Sequence, residues 1–431
     1  MSAYDSAVRA LFARRLELRA PGLARISALC AALGRPERAF PAVHVTGTNG
    51  KTSVTRMVAA LLDAHGLVSG AYTSPHLQDV RERVRLGGRA IPRAELAAGL
   101  DRLAPVLRAV EEGRGEQVSF FEAMTALALS HFATAGVDVG VVEVGMGGRW
   151  DATNVVDGRV AVIGRVGLDH AELGSRVAQV AREKAGIVKP GAVVVSAVQE
   201  PSAARVLAHE AARAHARLVL AGRDVGVLAR SADAAGQSLR LRDASGRRHE
   251  VRLRLYGRHQ AANALLALAA AGAHLGELDP HAVRAGFAAV RSPGRLELFA
   301  RDGRAAVLLD GAHNPAGART LAAALRTEPA LNGFDRRVAV LGLLDDKDVE
   351  GVVDELLPVT DHLVATQPPY GRAVPADRLV KLARAEGRPA VAVPDATEAL
   401  ERATALAAPG DVVVVTGSLY LVGAARDLLV R

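Results

Sequence analysis

The sequence predicts an α/β protein of two domains, and three observations lead to this prediction. An apolar, β-rich run at 42–46 passes through the string GTNGKT into an amphipathic helix, the order expected of a phosphate-binding loop in a parallel sheet. Strand-like apolar runs then alternate with helical patterns. A Ser-Pro-Gly turn at 292–294 precedes a second such alternation, so the predicted domains are residues 1–293 and 294–431.

The elements of the first domain follow from apolar periodicity, with Gly and Pro marking the turns. The predicted helices are two within 1–40, then one after the phosphate loop, 119–136, 176–188, 203–215, 257–276 and 280–290. The predicted strands are 42–46, 70–73, 84–86, 137–144, 160–166, 193–197, 218–220, 238–242 and 250–255. Ser119 with Glu122 three residues later indicates a capping box at the start of its helix.

The composition bounds the class of protein. The chain has 431 residues, half of them apolar, which is ample for two or three packed cores. The one cysteine, Cys30, excludes a disulfide framework and fits a reducing cytosol. There is no signal-peptide pattern and no apolar run of about 18 residues, so we expect a cytoplasmic protein without a membrane span.

The formal net charge of +8 comes from scattered arginines without a basic tail or interleaved aromatics, and aromatic residues make up 3% of the chain. This pattern argues against nucleic-acid binding. A general positive field would equally favour small polyanions such as ATP or an acidic substrate.

The GTNGKT loop carries the clearest chemistry. Gly47 and Gly50 let the backbone turn tightly against a phosphate, while Lys51 adds a point charge and Thr52 a hydroxyl. The usual loop has a glycine five residues before Gly50, where this chain has Val45. The loop is therefore short, which points away from switch and motor NTPases and toward ligases that form an amide bond at the expense of ATP.

Several polar residues stand at informative places. Glu143 ends an apolar strand, the position from which such sheets hold Mg²⁺. His170 follows the next predicted strand, and it is either a ligand of the same metal ion or a side chain that packs or caps a helix. Lys184 lies on the buried side of its helix, so it either pairs with an acid such as Glu143 or is carboxylated to a carbamate. Asn263 interrupts an apolar helix and suits an adenine edge.

The charged segment after the strand 70–73 is either a solvated loop or a mobile lid beside the phosphates. The second interpretation takes this strand as the neighbour of the phosphate-loop strand, where open α/β sheets bind ligands.

The second domain alternates strand and helix throughout, which predicts a Rossmann-like fold. Its predicted strands are 305–309, 337–341, 362–365, 390–393 and 412–416, and its helices are 315–325, 348–357, 376–385, 397–407 and 419–430. The first strand ends in LDGAHNP, which places Asp310, His313 and Asn314 at a helix start. We expect these residues to face the first domain across a cleft.

In this order the motifs GTNGKTS, TSPHLQDVRERVR, FFEAMTALAL, VVEVGMGGRWDATN, GLDH, REKAGI, GRHQAANAL, LDGAHNP and TGSLYLVG cover nearly the whole chain from Val43 on. They resemble folylpolyglutamate synthase and dihydrofolate synthase, the folate branch of the Mur ligase superfamily. The resemblance implies an N-terminal P-loop Mur-ligase-like ATPase domain and a smaller C-terminal Rossmann-like domain. It also implies ATP-dependent addition of L-glutamate to dihydropteroate, to tetrahydrofolate polyglutamates, or to both.

The resemblance assigns site residues position by position. Nucleotide contacts fall on Thr48, Asn49, Gly50, Lys51, Thr52, Ser53, Asn263, Arg295, Asp310 and His313. Metal ligands fall on Ser74, Glu143 and His170, and catalytic roles on Lys51, Lys184 and His313. Pteroate contacts fall on Ser119, Phe120, Phe121, Asp151 and Ala152, and glutamate contacts on His313, Ser418 and Tyr420. Expected cofactors are ATP and Mg²⁺, with K⁺ as a further candidate ion and N6-carboxylysine as a candidate form of Lys184, in a monomeric enzyme.

Two other functions compete with this interpretation. A cell-wall Mur ligase would need a UDP-binding domain before the loop, and 42 residues precede Val43, fewer than the roughly 50 of a small domain. A catalytically silent nucleotide-binding relative would be expected to lack Lys51, Glu143 or His170, and the chain has all three.

Overall fold

A computed structural model describes residues 2–14, 22–169 and 171–430 of the chain. Tertiary contacts divide it into two compact units. The first unit comprises Met1–Ala229, Arg240–Val251 and Ala262–Val290, and the second comprises Arg230–Leu239, Arg252–Ala261 and Arg291–Arg431. The domain boundary between residues 293 and 294 stays a prediction.

Within the described residues, the first unit contains an eight-stranded sheet in the order β4-β3-β2-β5-β1-β6-β7-β8. Its strands are β1 (Ala42–Thr46), β2 (Ser69–Tyr72), β3 (Val84–Leu86), β4 (Arg89–Ala90), β5 (Val139–Glu143), β6 (Gly158–Ile163), β7 (Val193–Ser196) and β8 (Arg217–Leu220). The helices up to residue 290 are α1 (Ala3–Phe12), α2 (Ala24–Ala32), α3 (Lys51–Ala64), α4 (Arg93–Arg114), α5 (Phe120–Ala135), α6 (Val177–Lys184), α7 (Pro201–Arg213), α8 (Arg258–Leu275) and α9 (Pro280–Ala289).

The strands β2, β5, β1, β6, β7 and β8 are parallel, whereas β3 and β4 pair antiparallel at one edge. The carboxyl ends of the parallel strands therefore meet at one edge of the sheet, where open α/β sheets bind ligands. One expectation about this edge was wrong: β2 does not neighbour β1, because β5 lies between them. The segment after β2 consequently lies beside the end of β5.

The helices of this unit largely follow the predicted periodicity. α3 buries the predicted face of Val54, Met57, Val58, Leu61 and Leu62, and each such side chain contributes roughly 1.5–3 kcal/mol to packing. The capping box at the start of α5 is confirmed. The 22-residue α4 was not predicted; it buries a stripe of leucines despite an internal proline.

A three-stranded sheet in the order β11-β10-β9 follows β8. It consists of β9 (Gly226–Asp233), β10 (Gly236–Arg242) and β11 (Arg248–Leu253). The sequence predicted the second and third strands only. Most of β9 is exposed or half-buried, so its sequence lacks the apolar alternation by which strands are recognised.

The second unit contains a six-stranded sheet, counted over the described residues, in the order β12-β13-β17-β14-β15-β16. Its strands are β12 (Glu297–Phe299), β13 (Ala306–Leu309), β14 (Arg337–Leu341), β15 (His362–Ala365), β16 (Ala390–Ala392) and β17 (Val412–Thr416). Its helices are α10 (Pro315–Thr327), α11 (Val349–Leu356), α12 (Ala376–Ala385), α13 (Ala396–Leu406) and α14 (Leu419–Leu429). All pairs except β12–β13 are parallel, so the predicted Rossmann-like alternation is confirmed.

The edge strand β12 was not predicted. It is three half-buried residues long, too short to show a period. Over the part of the chain that the structure covers, no helix combines the length and the apolar character that a membrane crossing requires.

Candidate functional site

The phosphate-binding loop is formed by residues 47–50, which connect the end of β1 to the start of α3. Gly50 caps the helix with a φ of 83°, a left-handed conformation that favours glycine. Gly47 packs against the segment after β6, since a Cβ atom there would lie 3.1 Å from Gly164 Cα. The first N–H groups of an α-helix lack partners within the helix, so this turn is suited to an anion.

Two lysines meet at one carbonyl of this loop. Lys51 Nζ donates to Gly47 O at 3.1 Å and to Thr48 O at 3.3 Å. Lys184 Nζ donates to the same Gly47 O at 3.0 Å. The Lys51 ammonium and the Lys184 amine, which is charged when protonated, create at this backbone oxygen a local positive field that a polyphosphate would neutralise.

Lys184 has unusual surroundings for a lysine. Its side chain is buried, with 3% of the residue exposed. Burial, and after it the charge of Lys51, lower the pKa of Lys184 to about 7, although the carboxylates of Asp169, Asp151 and Glu183 oppose this shift. A large fraction of this amine is therefore neutral near pH 7. The Gly47 carbonyl is the partner that a buried lysine requires.

Oxygen ligands gather at the end of β5. Glu143 is 1% exposed, and its Oε1 accepts a hydrogen bond from Thr52 Oγ1 at 2.8 Å. Its Oε2 accepts one from the backbone N–H of Ser74 at 3.1 Å, and Ser74 follows β2. A carboxylate flanked by hydroxyl residues is the kind of oxygen set that Mg²⁺ prefers, so these residues fit the predicted ion.

His170, the third predicted metal ligand, lies outside the described residues. Among residues 2–14, 22–169 and 171–430, no three His, Cys, Asp or Glu side chains form a metal-binding group. Mg²⁺ usually keeps several waters and takes further oxygens from phosphates, so it does not require such a group.

Thr48 ties the phosphate loop to the segment that leads to His170. Its hydroxyl donates to Gly167 O at 2.9 Å and accepts from Gly167 N at 2.9 Å, while its backbone N–H donates to Arg165 O at 3.1 Å. The neighbouring Asn49 is exposed, and Ser53 is buried in the first turn of α3.

Asn263 of α8 lies against the phosphate loop. A Cβ atom built on Gly50 would be 2.6 Å from Asn263 Oδ1 and 3.1 Å from its Nδ2. The structure therefore places this amide beside the loop, which explains why a polar residue interrupts an apolar helix. Its contact with adenine stays a prediction.

Gly50→Ala is expected to weaken ADP binding by roughly tenfold or more. The added methyl group must push Asn263 away, and alanine must adopt the positive φ at a cost of roughly 1–2 kcal/mol. Calorimetric titration with ADP measures the effect. Gly34→Ala is the matched control, because Gly34 has a φ of 79° with no atom within 4 Å of the added Cβ. Equal ADP affinity in both variants would contradict the prediction.

The residues predicted to bind pteroate begin at α5. Ser119 Oγ donates to Glu122 Oε2 at 2.8 Å and accepts from Glu122 N at 3.2 Å, so its hydroxyl serves the helix cap. Phe120 is 3% exposed, and the guanidinium carbon of Arg83 lies 5.0 Å from the centroid of its ring. Whether they also contact substrate stays a prediction.

The other three residues of this set lie around the segment 145–155. Phe121 is half-buried, and its ring would be 2.6 Å from a Cβ atom at Gly145. Asp151 and Ala152 are 3% and 2% exposed, at the start of a 3₁₀ turn formed by Ala152–Val155. The structure thus brings a partly accessible aromatic ring next to a loop that holds a buried carboxylate.

Sequence reasoning missed two residues that act on this loop, His44 and Thr153. His44 Nε2 lies 2.8 Å from Thr153 Oγ1, and the Thr153 hydroxyl donates to Asp151 Oδ1 at 2.5 Å. A signal was available, because His44 and Thr46 are polar residues two apart in an otherwise apolar strand and therefore share one face.

In the second unit, Arg295 and Asp310 lie close together. Asp310 Oδ2 accepts from Leu296 N at 2.9 Å and Oδ1 from Ala312 N at 3.0 Å. Burial raises the pKa of Asp310, and the charge of Arg295 opposes that rise. The Arg295 guanidinium lies against Gly311, where a Cβ atom would be 2.7 Å from Nη1.

In the sheet of the second unit, His313 follows the end of β13 and Tyr420 follows the end of β17. His313 Nδ1 donates to Gly311 O at 2.8 Å, because a carbonyl only accepts, so Nε2 is the basic nitrogen of the neutral ring. Ser418 caps α14 by accepting from Tyr420 N at 3.2 Å. The Tyr420 ring stacks on that of Tyr370, with centroids 4.5 Å apart.

Family models match both halves of the chain. The Mur ligase middle domain matches residues 94–271, and the Mur ligase glutamate ligase domain matches residues 294–419. A Mycobacterium tuberculosis protein named dihydrofolate synthase/folylpolyglutamate synthase is 42% identical over 449 residues, 95% of this chain and 90% of that protein. The Bacillus subtilis protein of the same name is 33% identical, with 95% of each chain covered.

The chain spans 52% of a longer Halobacterium salinarum protein, named probable bifunctional folylpolyglutamate synthase/dihydropteroate synthase, at 37% identity. Among solved structures, it is similar to Mycobacterium tuberculosis folylpolyglutamate synthase complexed with ADP and AMPPCP, with a TM-score of 0.92 and 41% identity over 100% of this chain and 98% of that one. Escherichia coli FolC in complex with DHPP and ADP gives a TM-score of 0.87 at 31% identity, over 99% and 97% of the two chains.

Proposed function

This chain belongs to the folylpolyglutamate and dihydrofolate synthase branch of the Mur ligases and is an ATP-dependent glutamate ligase of folate metabolism, and we propose that it is bifunctional. It would add L-glutamate to dihydropteroate and also to tetrahydrofolate polyglutamates. The observation that carries the ATP-dependent chemistry is the meeting of Lys51 and Lys184 at the Gly47 carbonyl, with Glu143 bonded to Thr52 in the adjoining first turn of α3.

The reaction requires activation, because a carboxylate and an ammonium do not form an amide spontaneously in water. We propose that a carboxylate oxygen of the folate substrate attacks the γ-phosphorus of ATP. A new O–P bond forms, the bond from that phosphorus to the bridging oxygen breaks, and ADP leaves. Lys51 and the N–H groups at the start of α3 would stabilise charge on the transferred phosphoryl group.

The second step joins the amino acid. The amine nitrogen of glutamate, after losing a proton, attacks the carbonyl carbon of the acyl phosphate. The C–N bond forms as the C–O bond to phosphate breaks, and inorganic phosphate leaves. The expected glutamate contacts are His313, Ser418 and Tyr420 in the second unit.

Ser74, Glu143 and His170 are the residues that would hold Mg²⁺. When bound, the ion supplies positive charge to the phosphoryl oxygens. The carboxylate of Glu143 is fixed by Thr52 and by the Ser74 backbone, so it is oriented without the ion.

We propose that Lys184 carries a carbamate. A buried amine with a pKa of about 7 is about half neutral near pH 7, and the neutral form is the nucleophile toward CO₂. Its nitrogen would bond to the CO₂ carbon, one proton would leave to solvent, and an anionic group would replace a cation. That exchange would also remove the repulsion between Lys184 and Lys51.

We further propose that Arg295, Asp310 and His313 of the second unit contribute contacts to the nucleotide. We also propose a monomeric, cytoplasmic enzyme; the free, buried Cys30 supports a reducing compartment.

The substrate range is the finer part of the proposal. The position of Phe121 beside the loop that holds Asp151 supports a pocket for a flat substrate ring. The Phe121 ring, one of few aromatic side chains in this protein, would stack on that substrate ring. The test supplies purified protein with ATP, Mg²⁺ and glutamate, offers dihydropteroate and then tetrahydrofolate, and separates products by chain length. We expect glutamylated product from both. A protein that glutamylates neither but extends a muramyl substrate would be a cell-wall ligase instead.

A further inference from the structure

Residues 164–167 follow the last residue of β6 and lie against the phosphate-binding loop. They have no regular secondary structure. Gly164 packs on the loop, because a Cβ atom built there would lie 3.6 Å from Gly47 Cα. At the other end of the segment, Gly167 exchanges two hydrogen bonds with the hydroxyl of Thr48. The shape of the loop therefore depends on where this segment lies.

The side chain of Gln199 holds the opposite side of the 164–167 segment. Its Nε2 donates to Gly164 O at 2.9 Å, and its Oε1 accepts from Val166 N at 2.9 Å. A residue of a neighbouring parallel strand makes this same pair of bonds, to the carbonyl of one residue and to the N–H two residues later. β7, the neighbour of β6, ends at Ser196. The amide of Gln199 thus continues the pairing that β7 no longer supplies.

The orientation of the Gln199 amide follows from its partners. Nε2 also donates to Ser196 Oγ at 3.3 Å, and the Ser196 hydroxyl in turn donates to Ala197 O at 2.9 Å. A flipped amide would place Oε1 against Gly164 O and Nε2 against an N–H group. Both amide hydrogens therefore have acceptors in the orientation observed, and the side chain is fixed at its tip.

One peptide unit connects Gln199 to the phosphate-binding loop. The carbonyl of Arg165 accepts from Thr48 N at 3.1 Å, and the N–H of Val166, in the same peptide unit, donates to Gln199 Oε1. A peptide unit is planar and rigid, so a displacement at one end moves the other. Gln199 and the loop are thus coupled through a single rigid group.

We propose that Gln199 is a positioning residue, which acts through the 164–167 segment to hold the phosphate-binding loop in the shape that receives the nucleotide phosphates. The inference rests on the proposed function and deepens it. A phosphate requires hydrogen-bond donors, and the two amide hydrogens of Gln199 are used in its bonds to Gly164 and Ser196. Gln199 therefore acts on the nucleotide without touching it.

Removal of the amide would leave two backbone groups without their described partner. Gly164 is buried and Val166 is 4% exposed, and a buried polar group without a hydrogen bond is costly. The segment would move until Gly164 O and Val166 N find other partners. Gly47 and Thr48 would move with it, because both contact the segment directly.

A purely structural role for Gln199 would be to lengthen the pairing of β6 with β7. Loss of the amide would then lower the free energy of unfolding and leave the affinity for nucleotide unchanged. Denaturant unfolding and nucleotide binding, measured on the same variants, separate the two roles.

The test measures ADP binding to the full chain in the presence of Mg²⁺, by calorimetry. Gln199→Met keeps the length of the side chain and removes its donor and acceptor. We expect it to raise the Kd for ADP by roughly tenfold or more. Ser196→Ala leaves both bonds to the segment in place, so its Kd should stay within about threefold of wild type.

Steady-state assays add a separation of kinetic constants, with whichever of dihydropteroate and tetrahydrofolate the wild type glutamylates. In Gln199→Met the KM for ATP should rise by a factor similar to that of the Kd, while the KM for glutamate stays within about twofold. Hydrogen exchange supplies a readout without catalysis: peptides that cover 44–50 and 160–167 should exchange faster in this variant.

Gln237→Met is the matched control for the loss of a buried bridging amide. Gln237 is 0% exposed, and it donates to Leu255 O at 2.7 Å and to Gly257 O at 3.2 Å. This variant should lose stability but keep the Kd for ADP within about twofold of wild type.

A loss of ADP affinity in Gln199→Met that is no larger than in Gln237→Met would overturn the inference, as would unchanged hydrogen exchange of the loop peptide. Gln199→Asn, whose amide is one methylene too short to reach both backbone groups, decides the question if Gln199→Met does not fold. Wild-type protein that does not bind ADP would instead refute the proposed function.

Discussion

Lys51→Gln is expected to lower kcat by about 10³-fold while leaving the protein folded. Lys51 is half-buried in the first turn of α3, and among the described residues its ammonium bonds to two carbonyls of its own loop, so its loss breaks no described hydrogen bond to another element except through that loop. Glutamine keeps an N–H donor and most of the length but removes the charge that would neutralise the transferred phosphoryl group. Removing one such electrostatic group typically costs roughly 10²–10³ in kcat.

The measurement is ADP release at saturating ATP, folate substrate and glutamate, with Lys381→Gln, an exposed lysine of α12, as the control. A second consequence is specific to this structure. Because the charge of Lys51 lowers the pKa of Lys184, the variant should raise that pKa above about 7. A kcat within tenfold of wild type would show that Lys51 has no direct part in phosphoryl transfer.

Lys184→Ala is expected to lose roughly 10²-fold or more in kcat and to regain part of it with acetate or propionate. If the functional group is a carbamate, a small carboxylate in the vacated space supplies the same negative charge. If the functional group is the ammonium, ethylamine should restore activity instead. The assay titrates each small molecule into the variant, with wild type under the same conditions as the control for salt effects.

The wild type should also depend on CO₂ in a pH-dependent way. Carbamate formation needs the neutral amine, whose fraction falls as the pH drops through about 7. Activity in CO₂-depleted buffer should therefore be lower, recover with bicarbonate, and recover more slowly at pH 6 than at pH 8. Activity that is indifferent to bicarbonate, together with rescue by ethylamine alone, would exclude the carbamate.

The same pKa has a consequence for stability. Lys184 has a lowered pKa in the folded protein, so between about pH 7 and its ordinary value of 10.5 the unfolded chain binds more protons there. The contribution of an unmodified Lys184 to the free energy of unfolding therefore rises with pH across this window. Denaturant unfolding at several pH values, with Lys184→Ala for comparison, isolates that contribution.

The secondary-structure elements that the sequence predicted correctly are those with clear local patterns of apolar and turn residues. The strands β14, β15 and β17 and the helix α12 agree with the predicted bounds, because the strands are apolar runs and the helix is an amphipathic segment, each between clear turn signals. The missed elements lack such signals: β9 is largely exposed and β12 is very short, while α4 contains a proline in its interior. The predicted adjacency of β2 and β1 failed because strand order is not a local property.

The amino-acid sequence by itself determined the phosphate loop, the alternation of strands and helices in both halves, and the family to which the chain belongs. These features depend on glycine spacing, on the period of apolar residues and on the order of motifs, all of which can be read from the sequence without knowledge of long-range contacts. Only the tertiary structure decided that Lys184 meets Gly47, 137 residues away, that Glu143 lies between Thr52 and Ser74, and that His44 acts on Asp151 through Thr153. Those contacts arise because the order β2-β5-β1-β6 brings distant strand ends to one edge of a sheet, which no local pattern records.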